Sequence, residues 1–437
     1  VIDHHTLGAI KADLAPVIER FSEAGHRLYL VGGAVRDLVL GRSSDDDDID
    51  LTTDAPPEVT RHLLTPLASA VWTQGERFGT IGARVAGRPL EVTTHRAESY
   101  DPDSRKPQVA FGDDVVTDLS RRDFTVNAMA YDLVEDRLID PFGGVDDLAA
   151  GRLRTPLDPV ESFSDDPLRM LRAARFVARY RLEPDPALVA VAAELADRLA
   201  IVSAERVHDE LERLLAVPDP GAGLDLLATT GLIERILPEV AADGELPDPR
   251  FAGRPRGEVV RRTLPGIGSP AARRGLLLWP SAEVGGEERV EAVARRLRYS
   301  VQDRRATAAL AGALQRLLAD RRPAPEVVRR AADRLGPGHE GLWELAGTLA
   351  LGGAAPATAA RLAELAAAGA ELARRGELDR LQPPIGGDEV MERLGCGPGP
   401  VVGQALEALR QAVLSDGPFD RAEALRRLDD WWRDRPG

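Results

Sequence analysis

One cysteine, Cys396, stands in a chain of 437 residues, which excludes an intramolecular disulfide and any zinc site built from several cysteines. Lysine is nearly as scarce. Lys11 and Lys106 are the only two, so almost all positive charge sits on arginine, whose planar fork suits bidentate contacts to phosphates and base edges. No apolar run approaches the roughly 20 residues of a membrane span, and Val1-Ile2-Asp3-His4-His5 lacks a signal-peptide pattern, so the expectation is a cytoplasmic protein with no membrane partner. Histidine is missing between His208 and His339, so a histidine-aspartate phosphohydrolase domain there would lack its ligands and no phosphatase activity is expected. No G-K-[ST] follows a glycine-rich loop, Val31-Gly32-Gly33 lacks the third glycine of a dinucleotide fingerprint, and no nucleophilic triad competes. The formal net charge of -15 argues against nonspecific coating of nucleic acid but leaves room for a local basic groove.

What is present begins with two short segments, Leu30-Val31-Gly32-Gly33-Ala34-Val35-Arg36-Asp37 and Asp48-Ile49-Asp50. Arg27 to Val31 reads as a strand, Gly32-Gly33 as a tight turn, and Ala34 to Leu40 as a helix whose first amides can meet an anion. Asp48 to Thr52 reads as a second strand, in which Asp48 and Asp50 share a face. Two carboxylates on one face can bind hard, oxygen-seeking cations such as Mg²⁺. A pair of such ions can activate an attacking hydroxyl and stabilise the leaving oxygen of a displacement at phosphorus. Glu91 is a third acidic candidate, provided that its strand lies beside the one carrying Asp50.

Gly79 to Val85 and Pro89 to Thr94 read as paired strands joined by Ala86-Gly87-Arg88. From about Ser162 onward, leucine and alanine recur at three- and four-residue spacing, so strands give way to helices and the fold class is α+β. The Pro/Gly-rich stretch Leu246 to Pro270 reads as a linker or irregular connection.

Two further segments carry chemistry. Arg121-Arg122-Asp123-Phe124-Thr125-Val126-Asn127 sets two cations, an acid and an amide at the expected start of a helix, where arginine can grip a triphosphate and Asp123 can accept from a ribose hydroxyl. Asp166, Arg169, Arg172 and Arg175 recur every three residues and form one stripe on a helix, while Leu168, Leu171 and Phe176 face a core. Three arginines on one stripe repel one another unless an anion compensates them, which points to a polyphosphate or RNA partner. An Asp-Arg pair also offers an acceptor and a fork of donors for the edge of cytosine or adenine.

In this order the segments resemble the class II tRNA nucleotidyltransferase family, which comprises CCA-adding enzymes and bacterial poly(A) polymerases. The matching residues continue through Glu91 to Arg96, Asp140-Pro141-Phe142-Gly143-Gly144 and Ser203 to Leu211, with a weaker echo at Gly386 to Leu394. The resemblance implies a polymerase-β-like nucleotidyltransferase head over residues 1–156, a helical neck over 157–220, a helical body over 221–380 and a helical tail over 381–437. It implies Asp48 and Asp50 as ligands of catalytic Mg²⁺ with Glu91 as a further catalytic carboxylate. Gly32, Gly33, Arg36, Arg122, Asp123, Arg172 and Arg175 would bind the nucleotide, and Asp166 with Arg169 would select CTP and then ATP.

The implied reaction is addition of CCA, or its terminal A, to a tRNA 3′ end, with pyrophosphate leaving, by a monomer or homodimer. The alternatives are a poly(A) polymerase, a specialised A-adding tRNA enzyme, and a silent tRNA-binding protein. His95 to Asp114 resembles the flexible loop kept by enzymes that complete the final adenosine, and Asp165-Asp166 replaces the usual Glu-Asp of the neck motif.

Overall fold

The computed structural model describes residues 2–42, 49–99, 108–112 and 114–434. The chain divides into two compact units, one comprising 1–214 and 222–235, the other 215–221 and 236–437.

The first unit is built on a seven-stranded sheet. Its strands are β1 (Leu28–Val31), β2 (Ile49–Thr53), β3 (Ala68–Trp72), β4 (Thr80–Val85), β5 (Arg88–Thr94), β8 (Ala130–Asp132) and β9 (Arg137–Ile139), in the order β3-β4-β5-β2-β1-β8-β9. A separate ribbon pairs β6 (Arg96–Ser99) with β7 (Gln108–Phe111). All neighbours in the large sheet are antiparallel except β2 and β5, which run parallel with Asp50 opposite Glu91. The expected hairpin between β4 and β5 forms on two residues, Ala86 and Gly87, both at positive φ (50° and 82°), the conformation that a tight twisted hairpin requires.

Alternation sorts the two faces of the sheet. Leu28, Leu30, Ile49, Leu51, Ile81, Ala83, Leu90 and Val92 point to one side and join Leu7, Ile10, Leu14, Val17 and Phe21 of helix α1 (His4–Glu23) in one core. That helix exists because its apolar residues recur at three and four, and because Asp3 caps it by accepting from the His5 and Thr6 amides. Each fully buried aliphatic side chain there contributes about 1.5–3 kcal/mol. On the opposite face Tyr29, Val31 and Ala130 pack with Val115 and Leu119 of α4 (Val115–Ser120) in a smaller cluster. Asp50 and Glu91 stay exposed.

Helices α2 (Gly33–Leu40), α3 (Pro57–Leu64) and α5 (Gly144–Ala150) complete the head, and α6 (Pro159–Asp165), α7 (Leu168–Tyr180), α8 (Pro186–Glu194) and α9 (Ala204–Leu215) follow it. The apolar side of α7 buries Leu168, Leu171 and Phe176 as its spacing predicted, and Phe176 lies between the tilted rings of Phe124 and Tyr180 with ring centroids 5.1 and 5.3 Å away.

The second unit is helical but for one short ladder, among the described residues. Trp279–Arg296, two helical stretches that meet at a kink at Gly285-Gly286, packs on the helix Val301–Ala319, and Glu340–Leu351 packs on Pro356–Arg374. The stretch Leu246 to Pro270 is not a linker. Pro247–Asp248 pairs with Arg254–Pro255, a helix spans Arg256–Thr263, and Phe251, Val259, Val260, Leu264 and Ile267 are buried. Its prolines occupy ladder positions and the first turns of helices, where the missing amide costs nothing. Arg273 holds this region together from inside: 7% exposed, it donates to the carbonyls of Leu215, Val217, Pro218 and Ile267. The final cluster gathers Ile385, Val390, Ala405, Leu409, Ala424 and Leu428.

Candidate active site

The turn after β1 comes first. Gly32 caps α2 with φ 69° and ψ -131°, a conformation that costs a residue with a side chain about 1–3 kcal/mol. A β-carbon there would also stand 3.0 Å from Arg122 Nη1 and 3.8 Å from Asp50 Oδ2. Glycine therefore lets a guanidinium and a carboxylate converge over the start of α2, where the first amides of a helix have no partner within the helix and favour negative charge. Gly33 is the first residue of that helix. Arg122 is mostly buried, its side chain 24% exposed, and is joined by Asp118 at 3.5 Å.

Asp50 and Glu91 occupy paired positions on parallel neighbours, so both carboxylates leave the same face of the sheet. The condition attached to Glu91, that its strand lie beside β2, is met. Asp48 lies outside the described residues. No group of three histidine, cysteine, aspartate or glutamate side chains able to hold a metal occurs among the described residues. The two carboxylates that are described are exposed hard oxygen donors, which is the donor chemistry that Mg²⁺ takes.

The segment after α4 departs from its expected helix. Phe124 is extended (φ -136°, ψ 153°), a single 3₁₀ turn covers Thr125–Asn127, and the Thr125 amide donates to the Arg154 carbonyl. Side-chain bonds dictate this course. Asp123 Oδ1 accepts from the Phe124 amide at 2.8 Å and from Asn127 Nδ2 at 3.0 Å, while Oδ2 accepts from Arg172 Nε at 2.9 Å. Asp123 is 8% exposed. Burial alone would raise its carboxyl, but the Arg172 guanidinium, the Asn127 amide and the charge of Arg169 outweigh it and hold the group at about 2. Asp123 in turn raises Arg172.

The stripe on α7 forms at the expected spacing, and its charges are compensated within the protein. Arg172 meets Asp123, Arg175 meets Glu210 of α9, and Arg169 donates to Ser162 Oγ at 2.9 Å and to the Arg121 carbonyl. The mutual repulsion expected from sequence is thus answered by internal carboxylates and carbonyls, and an external anion is not required to relieve it. Asp166 precedes the helix and accepts from the Leu168 amide at 3.2 Å and from Arg206 Nη2 at 2.8 Å.

Arg36 turns inward. It is 5% exposed, bonded to Asp37 and, through Nη1 at 2.8 Å, to Asn127 Oδ1, with its guanidinium 4.3 Å from the Tyr180 ring centroid. A chain of bonds therefore runs from α2 through Arg36, Asn127 and Asp123 to Arg172 on α7. Sequence reading gave Asn127, Arg206 and Glu210 no individual role. The available signal was the four-residue spacing of Arg206 and Glu210, opposite in sign to Asp166 and Arg175.

The chain is similar to several known proteins. The Poly A polymerase head domain matches residues 28–154, and the probable RNA and SrmB-binding site of polymerase A matches residues 181–243. The CCA-adding enzyme of Bacillus licheniformis is 40% identical over 222 residues, 51% of this chain and 54% of that protein. That of Geobacillus sp. is 41% identical over 217 residues, 49% of this chain and 52% of the relative. The matched stretch thus spans about half the length of these relatives. The crystal structure of the Bacillus stearothermophilus CCA-adding enzyme in complex with CTP superposes with a TM-score of 0.72 at 27% identity, covering 97% of each chain. The chain thus contains a Poly A polymerase head domain followed by that family's RNA-binding segment, on a fold similar to that of a CCA-adding enzyme.

Proposed function

We propose that this chain adds CCA, or its terminal A, to tRNA 3′ ends from CTP and ATP without a nucleic-acid template. The observation that carries the reading is the convergence at Gly32 of Asp50 and Arg122, with Glu91 paired to Asp50 on the next strand. The triphosphate lies over the start of α2, against Gly32, Gly33 and Arg122, with its α-phosphate toward the carboxylates. Asp48 and Asp50, with Glu91 beside them, would hold Mg²⁺, which would supply a stronger nucleophile and charge for the leaving pyrophosphate. Asp123, fixed by Arg172 and Asn127, orients the ribose, with Arg36 steadying Asn127 from behind. Arg172 and Arg175 complete the nucleotide-binding stripe. Asp166 and Arg169 face the base edge as one acceptor and one set of donors, so protein replaces a template strand. The helical segments 157–220, 221–380 and 381–437 serve as neck, body and tail that hold the RNA.

The CCA-adding activity named for the relatives supports this reading. The poly A polymerase name of the matched head domain favours a second one, addition of AMP to RNA 3′ ends. Removal of metal tests the chemistry common to both. Pyrophosphate release, from CTP and ATP with tRNA lacking its CCA and from ATP with an RNA 3′ end, is expected to stop in a chelator and to return on adding Mg²⁺. Release that continues undiminished in the chelator would contradict the carboxylate assignment.

A further inference from the structure

Tyr180, the last residue of α7, has no role in the reading above. Four residues after Phe176, it shares a side of that helix with it, and the rings of Phe124, Phe176 and Tyr180 follow one another with centroids 5.1 and 5.3 Å apart. Arg36 of α2 lies at the end of this row. Its guanidinium carbon is 4.3 Å from the Tyr180 centroid and 5.7 Å from that of Phe176. Arg179 donates from Nε to the Tyr180 hydroxyl at 3.2 Å and so holds the ring by its polar tip.

Arg36 is joined as closely to the turn that precedes it. Its amide donates to the Gly32 carbonyl at 3.2 Å and closes the first turn of α2, so its side chain leaves the helix one turn beyond Gly32. The edge of the guanidinium is occupied: Nε and Nη2 each reach Asp37 Oδ1 at 2.9 Å, and Nη1 reaches Asn127 Oδ1 at 2.8 Å. Tyr180 covers its face. At 5% exposure Arg36 has lost most of its water, and a desolvated guanidinium gains the most from an aromatic face. Without the ring, water reaches the cation and the first turn of α2 keeps only the bonds at the guanidinium edge. The end of α7 therefore sets the place of the Gly32-Gly33 turn. Arg169 stands about three helical turns earlier on α7 and has its own partners, Ser162 and the Arg121 carbonyl.

We propose that Tyr180 is a positioning residue for the nucleotide triphosphate, holding Arg36 by its face so that the Gly32-Gly33 turn keeps its place at the start of α2. The inference rests on the reading that the triphosphate lies over that turn. The test uses the full chain with Mg²⁺, ATP as the single nucleotide and tRNA ending after CC, an acceptor for the CCA-adding and the terminal-A forms alike. Arg122→Ala, which removes a group assigned to the triphosphate, is expected to raise KM for ATP. Tyr180→Ala is expected to raise it roughly tenfold, the scale of one desolvated cation–π contact. Because phosphate contacts serve the bound nucleotide and the displacement alike, kcat should stay within about twofold, and KM for tRNA should not move. Tyr180→Phe keeps the aromatic face and should restore KM, whereas Tyr180→Leu fills the space without one and should not. A purely structural loss would lower kcat with the fraction of folded chain and leave KM as it was. Thermal melting establishes that Tyr180→Ala is folded, and Tyr180→Leu carries the expectation should it not be. KM unchanged in the folded Tyr180 variant, while Arg122→Ala has raised it, overturns the role of Tyr180, as does a wild-type KM in Tyr180→Leu. KM unchanged in Arg122→Ala, or no incorporation by the wild type, overturns the reading of the triphosphate site, and the inference falls with it.

Discussion

Asp50→Asn is expected to lower nucleotide incorporation by about three orders of magnitude, because several kcal/mol of stabilisation of the displacement depend on a charged metal ligand. The change keeps the size of the side chain and removes its charge. Asp50 is exposed on the sheet while its neighbours Ile49 and Leu51 supply the core, so the fold should stay within about 0.5 kcal/mol of wild type. Binding of tRNA, measured by gel shift or filter retention, should be unchanged. Incorporation of labelled CMP by Asp50→Asn within tenfold of wild type would sink the metal assignment, and loss of tRNA binding in parallel would point to unfolding. Asp48→Asn carries the same expectation on the carboxylate that lies outside the described residues.

Asp123 should matter for stability as well as turnover. Removing it leaves the part-buried Arg172 guanidinium without its carboxylate, at a cost of about 3 kcal/mol, and frees the Phe124 amide and Asn127 Nδ2 together. Denaturant titration of Asp123→Ala at neutral pH checks this. The pH dependence gives a sharper signature. The folded carboxyl sits at about 2, below its ordinary 3.8, so its ionised form favours the native state. That contribution, about 2 kcal/mol for a carboxyl lowered from 3.8 to about 2, is complete above pH of about 4 and is lost as pH falls toward about 2. Asp123→Asn should flatten the stability curve across that acid window, and a curve with unaltered slope there would show that Asp123 is not held ionised by Arg172. Activity should fall in both variants, because a displaced Arg172 disturbs the stripe on α7.

Local features of this protein were legible in its sequence because local chemistry dictates them. A glycine pair between an apolar run and a helix, a two-residue hairpin, and arginines every three residues on α7 each report a conformation set within about ten residues. The pairing of Asp50 with Glu91 was only conditional, since a parallel register joins residues 41 apart and no turn fixes it. Arg36 looked like a phosphate ligand because it follows Gly32-Gly33. Its inward course is decided by Asn127 and Tyr180, which lie far along the chain. The helix expected after Arg121 failed because Asp123 competes for backbone amides more effectively than a helix would. Leu246 to Pro270 looked like a linker by composition, whereas its apolar residues meet partners supplied by the surrounding helices.

The central claim is that this site transfers nucleotides to tRNA and chooses them by protein side chains. The most direct measurement offers the purified chain three acceptors, tRNA ending before CCA, tRNA ending after CC, and oligo(A), each with CTP and ATP together, followed by sequencing of the product ends. The account predicts CCA completed on the first tRNA, or a single A on the second alone for the terminal-A form, with growth stopping there and oligo(A) left short. Sustained tailing of oligo(A) with indifference to CTP would contradict it.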